Sequence, residues 1–341
     1  MDMFLPKRAL FEREALDYAV GQQVYYKMQE LGVETSFIGS HNRVTSIPGK
    51  TPQEAFFESK RTLVVGVRRS LDFQTCRPSA HYQLPLVTGC TAECEYCYLH
   101  TTLGKKPYVR VYVNIDDILK RAGEYMFQRK PEFTVFEGAA TSDPLPVEPY
   151  TGALKNAVEF FGKAQYGLFR FVTKFTNVDS LLDAAHHGRT TIRFSINNQF
   201  IIKSFEHKTP PGLERMAAAA KVAEAGYPLG FIIGPIFYYS GWRQDYEEMF
   251  EMMAAKLGAA SAGAISFELI THRFTRRAKS NILEVFPRTK LPMDEKNRVF
   301  KYGQFGYGKY VYPREVMDEV KEFFEKKIGE IFPESRILYF V

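Results

Sequence analysis

The chain has little cysteine, little histidine and no long apolar run. Four cysteines among 341 residues, three of them clustered at 90–97, do not form a secreted disulfide framework. No stretch reaches the roughly 20 apolar residues of a membrane-spanning helix. No segment is low in complexity, and no basic-plus-apolar leader precedes the charged start Met1–Arg8. A reducing cytoplasm is the expected compartment. Charge is also modest: 45 Lys and Arg against 39 Asp and Glu leave +6, which permits a polyanionic partner without requiring one. Aromatic residues are plentiful, with 29 Phe and 20 Tyr, and the length allows one large core or two modest ones.

The few cysteines carry the chemistry. Cys90, Cys94 and Cys97 stand in Thr-Gly-Cys-Thr-Ala-Glu-Cys-Glu-Tyr-Cys-Tyr, residues 88–98, at C-x3-C-x2-C spacing. Three thiolates can hold three corners of a cubane iron–sulfur cluster and leave its fourth iron open, whereas a simple electron carrier usually supplies four cysteines. The pattern resembles the signature of the radical S-adenosylmethionine superfamily. In that superfamily the open iron binds the methionyl amine and carboxylate, and one electron splits the sulfonium to a 5′-deoxyadenosyl radical. A structural zinc site is the alternative, with His100 as the fourth ligand. Cys76 reads as a packed small residue without a role.

Residues 1–80 read as an N-terminal extension: a helix over Glu12–Leu31 ending at Gly32, a loop, a short helix Gln53–Lys60 and a strand Thr62–Val67. From His81 strands and helices alternate. The expected strands are His81–Val87, Phe133–Phe136, Leu168–Thr173, Thr191–Ile196, Leu229–Ile233 and Ala264–Leu269. The helices between them are Ile115–Gln128, Gly152–Gln165, Val178–Ala185, Gly212–Ala225 and Gln244–Leu257. Such alternation predicts an α/β fold, a parallel partial (β/α)6 barrel over 81–270. Its active site belongs at the C-terminal strand ends, where the cysteine loop falls. Residues 271–341 form a third segment, with a hairpin at Arg298–Pro313, a helix Arg314–Phe332 and a last strand Arg336–Val341.

Several strand ends carry candidate ligands for the methionyl and adenosyl groups. Ser142 and Asp143, in Glu-Gly-Ala-Ala-Thr-Ser-Asp-Pro at 137–144, offer acceptors to an amine. Lys174 can pair with a carboxylate or ribose oxygen, and Ser195 can bond ribose hydroxyls. Gly234 lets the backbone lie against adenine. Tyr96 and Tyr98 flank the last cysteine and suit adenine stacking or a hydrogen-atom relay. Each of these also has a plain structural reading: an ordinary strand exit ended by Pro144, an exposed lysine, a satisfied serine, a simple turn at Gly234, or an aromatic shield.

Together, residues 88–99, Ala-Thr-Ser-Asp at 140–143 and the Arg- and Tyr-rich tail resemble the spore photoproduct lyase family, over essentially the whole chain. The resemblance implies light-independent repair of 5-thyminyl-5,6-dihydrothymine in the DNA of bacterial spores, in the spore cytoplasm. It implies a [4Fe–4S] cluster, S-adenosylmethionine used catalytically, and an electron donor to the cluster. It also implies hydrogen abstraction from C6 of the lesion, scission of the methylene bridge, and return of a hydrogen atom. The family carries a hydrogen-donating cysteine immediately before Thr-Ser-Asp, where this chain has Ala140. Impaired thymine restoration is therefore expected, and an engineered substitution would account for the departure.

A lesion inside a stacked duplex must be extruded before its atoms can be reached. Arg273, Arg276, Arg277 and Lys279 are candidates for phosphate contacts. Tyr302, Phe305 and Tyr307 on the hairpin are candidates for a stacking wedge. Two other readings remain: a radical enzyme for another substrate, and a zinc-stabilised nucleic-acid-binding protein without catalysis.

Overall fold

The structure is a computed structural model that describes residues 4–302 and 308–341. It divides into two compact units, Met1–Ala92 with Leu103–Ile192, and Glu93–Thr102 with Arg193–Val341. The fold is the expected α/β partial barrel, built on a curled eight-stranded sheet.

In the first unit, Thr75–Cys76, Ala80–Gln83, Thr134–Glu137 and Gly167–Thr173 lie side by side in that sheet. All but the edge strand Thr75–Cys76 run parallel. Along Gly167–Thr173 the alternation of buried and half-buried residues puts Phe169 and Phe171 into the core. Helix Ile115–Gln128 buries Ile115, Ile118, Leu119, Ala122 and Met126, a 3.6-residue stripe. A second sheet of five strands runs Glu34–Ile38, Arg8–Glu12, Thr62–Gly66, Val109–Tyr112, Val87–Thr88.

In the second unit, Leu229–Ile236, Ser266–Thr271 and Arg336–Phe340 pair parallel, and the last is the expected C-terminal strand. Thr190–Ile196 carries the chain from one unit to the other. Helix Arg314–Ile331 buries Val320, Phe324 and Ile328, with Phe324 edge-on to Tyr246.

Four local expectations are corrected. Glu12–Leu31 is not one helix: Arg8–Glu12 is a fully buried strand, followed by a 3-10 turn and a helix over Ala19–Glu30. Glu12 ends that strand because its carboxylate accepts from the backbone N–H groups of His41 and Val67. His81–Val87 splits into Ala80–Gln83 and Val87–Thr88, which lie in different sheets. Pro85, with no N–H to donate, lies at the break. Val178–Ala185 holds only the 3-10 turn Asp179–Leu181. Finally, the basic stretch after Leu269 contains an unforeseen helix, Arg276–Val285, capped by the Thr275 hydroxyl accepting from Ala278 N–H at 3.0 Å.

Candidate active site

The cysteine loop begins at Gly89, whose φ of +88° suits glycine, and a Cβ there would lie 2.4 Å from the Tyr108 carbonyl oxygen. Gly89 N–H donates to Thr141 O at 2.9 Å, and Gly89 O accepts from Asp143 N–H at 3.4 Å. The start of the cysteine loop is thus bonded to the loop carrying Ala140, Ser142 and Asp143. Cys90 is half-buried. Its carbonyl accepts from Nζ of the buried Lys60 at 2.8 Å, and its Sγ accepts from Ala92 N–H at 3.4 Å.

In the second unit, Cys94 is buried in the short strand Glu93–Cys94, paired antiparallel with Glu206–His207. Cys97 N–H donates to Cys94 O at 3.2 Å. Between them Tyr96 donates its hydroxyl to Glu206, whose other oxygen pairs with Arg215 at 2.6 Å. Arg215 is fully buried and also donates to Ser195 O, Pro210 O and Thr209 Oγ1. Burial, reinforced by the Glu206 charge, pushes the Tyr96 phenol well above its usual pKa, so it stays a hydrogen-bond donor. This network fixes both Tyr96 and the end of the strand bearing Ser195. Tyr98, by contrast, is 58 % exposed. The Glu206–Arg215 pair has no motif in the sequence; an acidic and a basic residue nine apart read as surface.

Ala140 and Thr141 line a cavity of about 190 Å³ in the first unit, together with Gln74, Gln83, Glu137, Arg68, Arg110 and Tyr112. The neighbouring Asp143 is buried and already engaged: Oδ1 accepts from Thr173 Oγ1 at 2.8 Å and Leu145 N–H at 3.3 Å, and Oδ2 accepts from Lys174 N–H at 2.8 Å. Burial outweighs these bonds and raises its pKa to about 6. Asp143 therefore clamps its loop to the Thr173 strand end, which brings Lys174 beside it. The Ser142 hydroxyl donates to Gly138 O at 3.5 Å. At Gly234 an added Cβ would meet Ile270 at 3.1 Å, so packing by itself accounts for that glycine.

His100, the candidate zinc ligand, is buried with its ring stacked on Phe286 at 5.9 Å. Among the described residues, no group of three or more His, Cys, Asp and Glu side chains could hold a metal ion.

At the basic end of the second unit, Arg276, Arg277 and Lys279 fall in the first turn of helix Arg276–Val285. Arg276 is largely exposed and donates to Tyr310 OH at 3.0 Å. Arg273 and Arg277 are exposed, whereas Lys279 pairs with Glu295 at 3.4 Å. The expected hairpin is present as Val299–Tyr302 against Gly308–Val311. Every residue of its first strand is exposed, Tyr302 at 80 %. Phe305 and Tyr307 lie outside the described residues.

Comparison with known proteins settles the kinship. The family model "Spore photoproduct lyase" matches residues 4–341. The chain belongs to the spore photoproduct lyase family. It is 53 % identical to the spore photoproduct lyase of Clostridium acetobutylicum over 335 residues, 98 % of each chain. With that of Bacillus subtilis it shares 47 % over 337 residues, 99 % of this chain and 98 % of the other. Among solved structures it is similar to a spore photoproduct lyase complexed with dinucleoside spore photoproduct, with TM-score 0.96, 47 % identity and 99 % of each chain covered. It is also similar to a double mutant with bound AdoMet and dinucleoside spore photoproduct, with TM-score 0.97, 48 % identity and 99 % of each chain covered. In that mutant, cysteine 140 is replaced by alanine and serine 76 by cysteine.

The residues of this family member fit an iron–sulfur cluster by their chemistry. All three motif cysteines are thiols. The Ala92 N–H bond to the Cys90 sulfur is the kind of contact that tunes a cluster's potential. No helix among the described residues is long and apolar enough to cross a membrane.

Proposed function

We propose that this chain reverts the spore photoproduct in DNA to two thymines, with Cys90, Cys94 and Cys97 holding a [4Fe–4S] cluster. Bound there, the cluster and S-adenosylmethionine supply a 5′-deoxyadenosyl radical for hydrogen abstraction from C6 of the lesion. The observation that carries this reading is the bonding of the Gly89–Cys90 turn to the Ala140–Asp143 loop, beside a cavity lined by Ala140 and Thr141. The two backbone bonds between these loops support a reading in which Cys90 as a cluster ligand lies next to the loop that carries the family's hydrogen donor.

The chain's own residues bind, orient and exclude water. Ser142 and the backbone around it would receive the methionyl amine, while Asp143 holds the loop and keeps Lys174 beside it, where it would pair with a carboxylate. Ser195, fixed through Arg215, serves the ribose. Tyr96, a phenol kept protonated by burial, orders the cysteine loop and stands as a relay candidate with the exposed Tyr98. Arg68 and Arg110 give the cavity a positive wall suited to the lesion's carbonyls and phosphate.

The DNA face is built from helix Arg276–Val285 and the hairpin. Cations in a helix's first turn oppose its macrodipole, an arrangement relieved by a phosphate, which both the cations and the N-terminal N–H groups attract. Arg273, Arg276 and Arg277 supply the exposed charge, with Lys279 held back by Glu295. Val299, Phe300 and Tyr302 offer an apolar and aromatic strand to fill the gap left by extrusion. Double-stranded DNA, an electron donor and a spore cytoplasm complete the reading.

The test is anaerobic reconstitution with iron and sulfide, read by absorption near ~400 nm from thiolate-to-iron charge transfer. A brown protein that binds a lesion duplex in preference to undamaged DNA supports the assignment. A colourless protein with no preference overturns it.

A further inference from the structure

A cluster held by Cys90, Cys94 and Cys97 has to be given an electron, and electron tunnelling falls steeply with distance. A reducing protein must therefore seat where little of the chain lies between it and the cysteine loop. We propose that Lys208, Arg288 and Lys290 form the docking surface for an acidic one-electron carrier protein, on the part of the second unit that encloses Cys94 and Cys97. The proposal rests on the repair reading above and names the partner surface that reading leaves open.

The three cations are gathered by one carboxylate. Buried Glu95, next to Cys94, pairs through Oε1 with His207 Nε2 at 2.7 Å, and its Oε2 accepts from the Thr289 hydroxyl. Lys208 follows His207, Arg288 and Lys290 flank Thr289, and all three are exposed. Glu95 N–H donates to Phe205 O at 2.9 Å, so two segments distant in sequence are pinned onto the cysteine loop. Phe286 seals the same face, its ring 5.9 Å from that of buried His100 and 6.2 Å from that of His207. In the segment 284–290 the one acidic residue, Glu284, is half-buried, whereas both cations are exposed.

Strand pairing makes the separation short. Glu206 lies opposite Cys94 and His207 opposite Glu93. Lys208, one residue beyond, is roughly 7 Å along the strand and 5 Å across from the backbone of Cys94. Cys97 is half-buried and Tyr98 exposed, so the covering over this loop is thin. Lys208 itself has a φ of +57°, in the left-handed region that glycine occupies without strain. The turn alone would be better served by glycine; what lysine adds is an exposed positive charge.

The patch stands apart from the DNA face. Arg276 and Arg277 open the helix Arg276–Val285, whereas Arg288 and Lys290 follow its end. Its 10 residues separate the two ends by about 15 Å, more than the ~10 Å Debye length at 0.1 M salt. Asn281 Nδ2 donates to His100 O at 3.3 Å, which lays the middle of this helix on the segment after Cys97. A duplex at one end and a carrier at the other can then be held together. Electron-transfer encounters are small and steered by charge, so three cations over a thinly covered redox loop suit an acidic carrier. The carrier gives up one electron and the cluster takes up one; no covalent bond forms or breaks at the surface.

The experiment uses the cluster-loaded chain, flavodoxin as a small acidic flavin carrier, and the triple variant Lys208→Glu, Arg288→Glu, Lys290→Glu. Binding of oxidised flavodoxin at low salt, read by fluorescence anisotropy, should weaken by about tenfold or more in the variant. Anaerobic stopped-flow bleaching near ~400 nm should slow by about tenfold or more with flavodoxin hydroquinone and stay unchanged with dithionite. Added salt should slow flavodoxin's reduction of the unaltered chain and leave the variant nearly indifferent. Unchanged binding and bleaching in the variant, or equal slowing with dithionite, would overturn the surface. So would a parallel loss of lesion-duplex affinity, which would return these residues to the DNA face. If the unaltered chain converts no lesion with dithionite, the repair reading fails, and flavodoxin binding and bleaching still decide the surface.

Discussion

Glu206→Gln is the substitution that most directly probes how the cysteine loop is held. Glu206 accepts from Tyr96 and pairs with Arg215, and both charged side chains are fully buried. Removing one partner of a buried ion pair costs about 3–5 kcal/mol, because the other charge stays desolvated. Arg215 would keep its bonds to Pro210 O, Ser195 O and Thr209 Oγ1 at 2.8–3.1 Å, which favours the lower half of that range. At roughly 2 °C per kcal/mol for a chain of this length, Tm should fall by about 6–8 °C. Tyr96→Phe removes only one hydrogen bond to a charged group, about 1.5–3 kcal/mol. Because both changes act on Glu206, the double variant should cost less than the two single losses together. The assay is anaerobic calorimetry of the cluster-loaded proteins. A Glu206→Gln shift below about 2 °C, or strict additivity with Tyr96→Phe, would refute the network.

Three further outcomes are expected. Glu148 accepts from Leu154 N–H at 2.7 Å and Lys155 N–H at 3.0 Å, yet burial raises its pKa from 4.5 to about 7. The fold thus favours the neutral acid, and stability should fall by roughly 3 kcal/mol as pH rises from about 4.5 to 7. Glu148→Gln should lose that part of the slope in urea titrations at several pH values, and an unchanged slope would contradict the burial argument. Replacing Arg276 and Arg277 with Ala should weaken duplex binding and flatten its log–log salt slope by about 2, one for each arginine that neutralises a phosphate. An unchanged slope would remove both from the DNA face. Tyr302→Ala should slow repair in a duplex while sparing the dinucleoside substrate, and equal impairment on both would deny it a wedge role.

Much of this was legible because local chemistry and tertiary demand agree. Helix Ile115–Gln128 was bounded to the residue, since its apolar stripe is also its buried face. The helix at Pro52–Lys60 begins with a capping box at Thr51 and Glu54 that any reader of the sequence can find. The cysteine spacing suggests three cluster ligands from local sequence alone, and that assignment is a proposal here. What was missed depended on contacts distant in sequence. Arg8–Glu12 reads as the lead-in to a helix, and only its burial between two parallel neighbours makes it a strand. Arg276–Val285 reads as a basic coil because its apolar face is narrow, with Ile282 alone buried. Glu206 and Arg215 acquire meaning only when strand pairing brings Glu206 opposite Cys94.

The central claim is tested most directly by incubating the anaerobically loaded chain with dinucleoside spore photoproduct, S-adenosylmethionine and a strong reductant, and quantifying thymidine. The account predicts that lesion is consumed with formation of thymidine, and that Cys94→Ala loses all turnover. Intact lesion in the presence of a fully assembled, reducible cluster would contradict it.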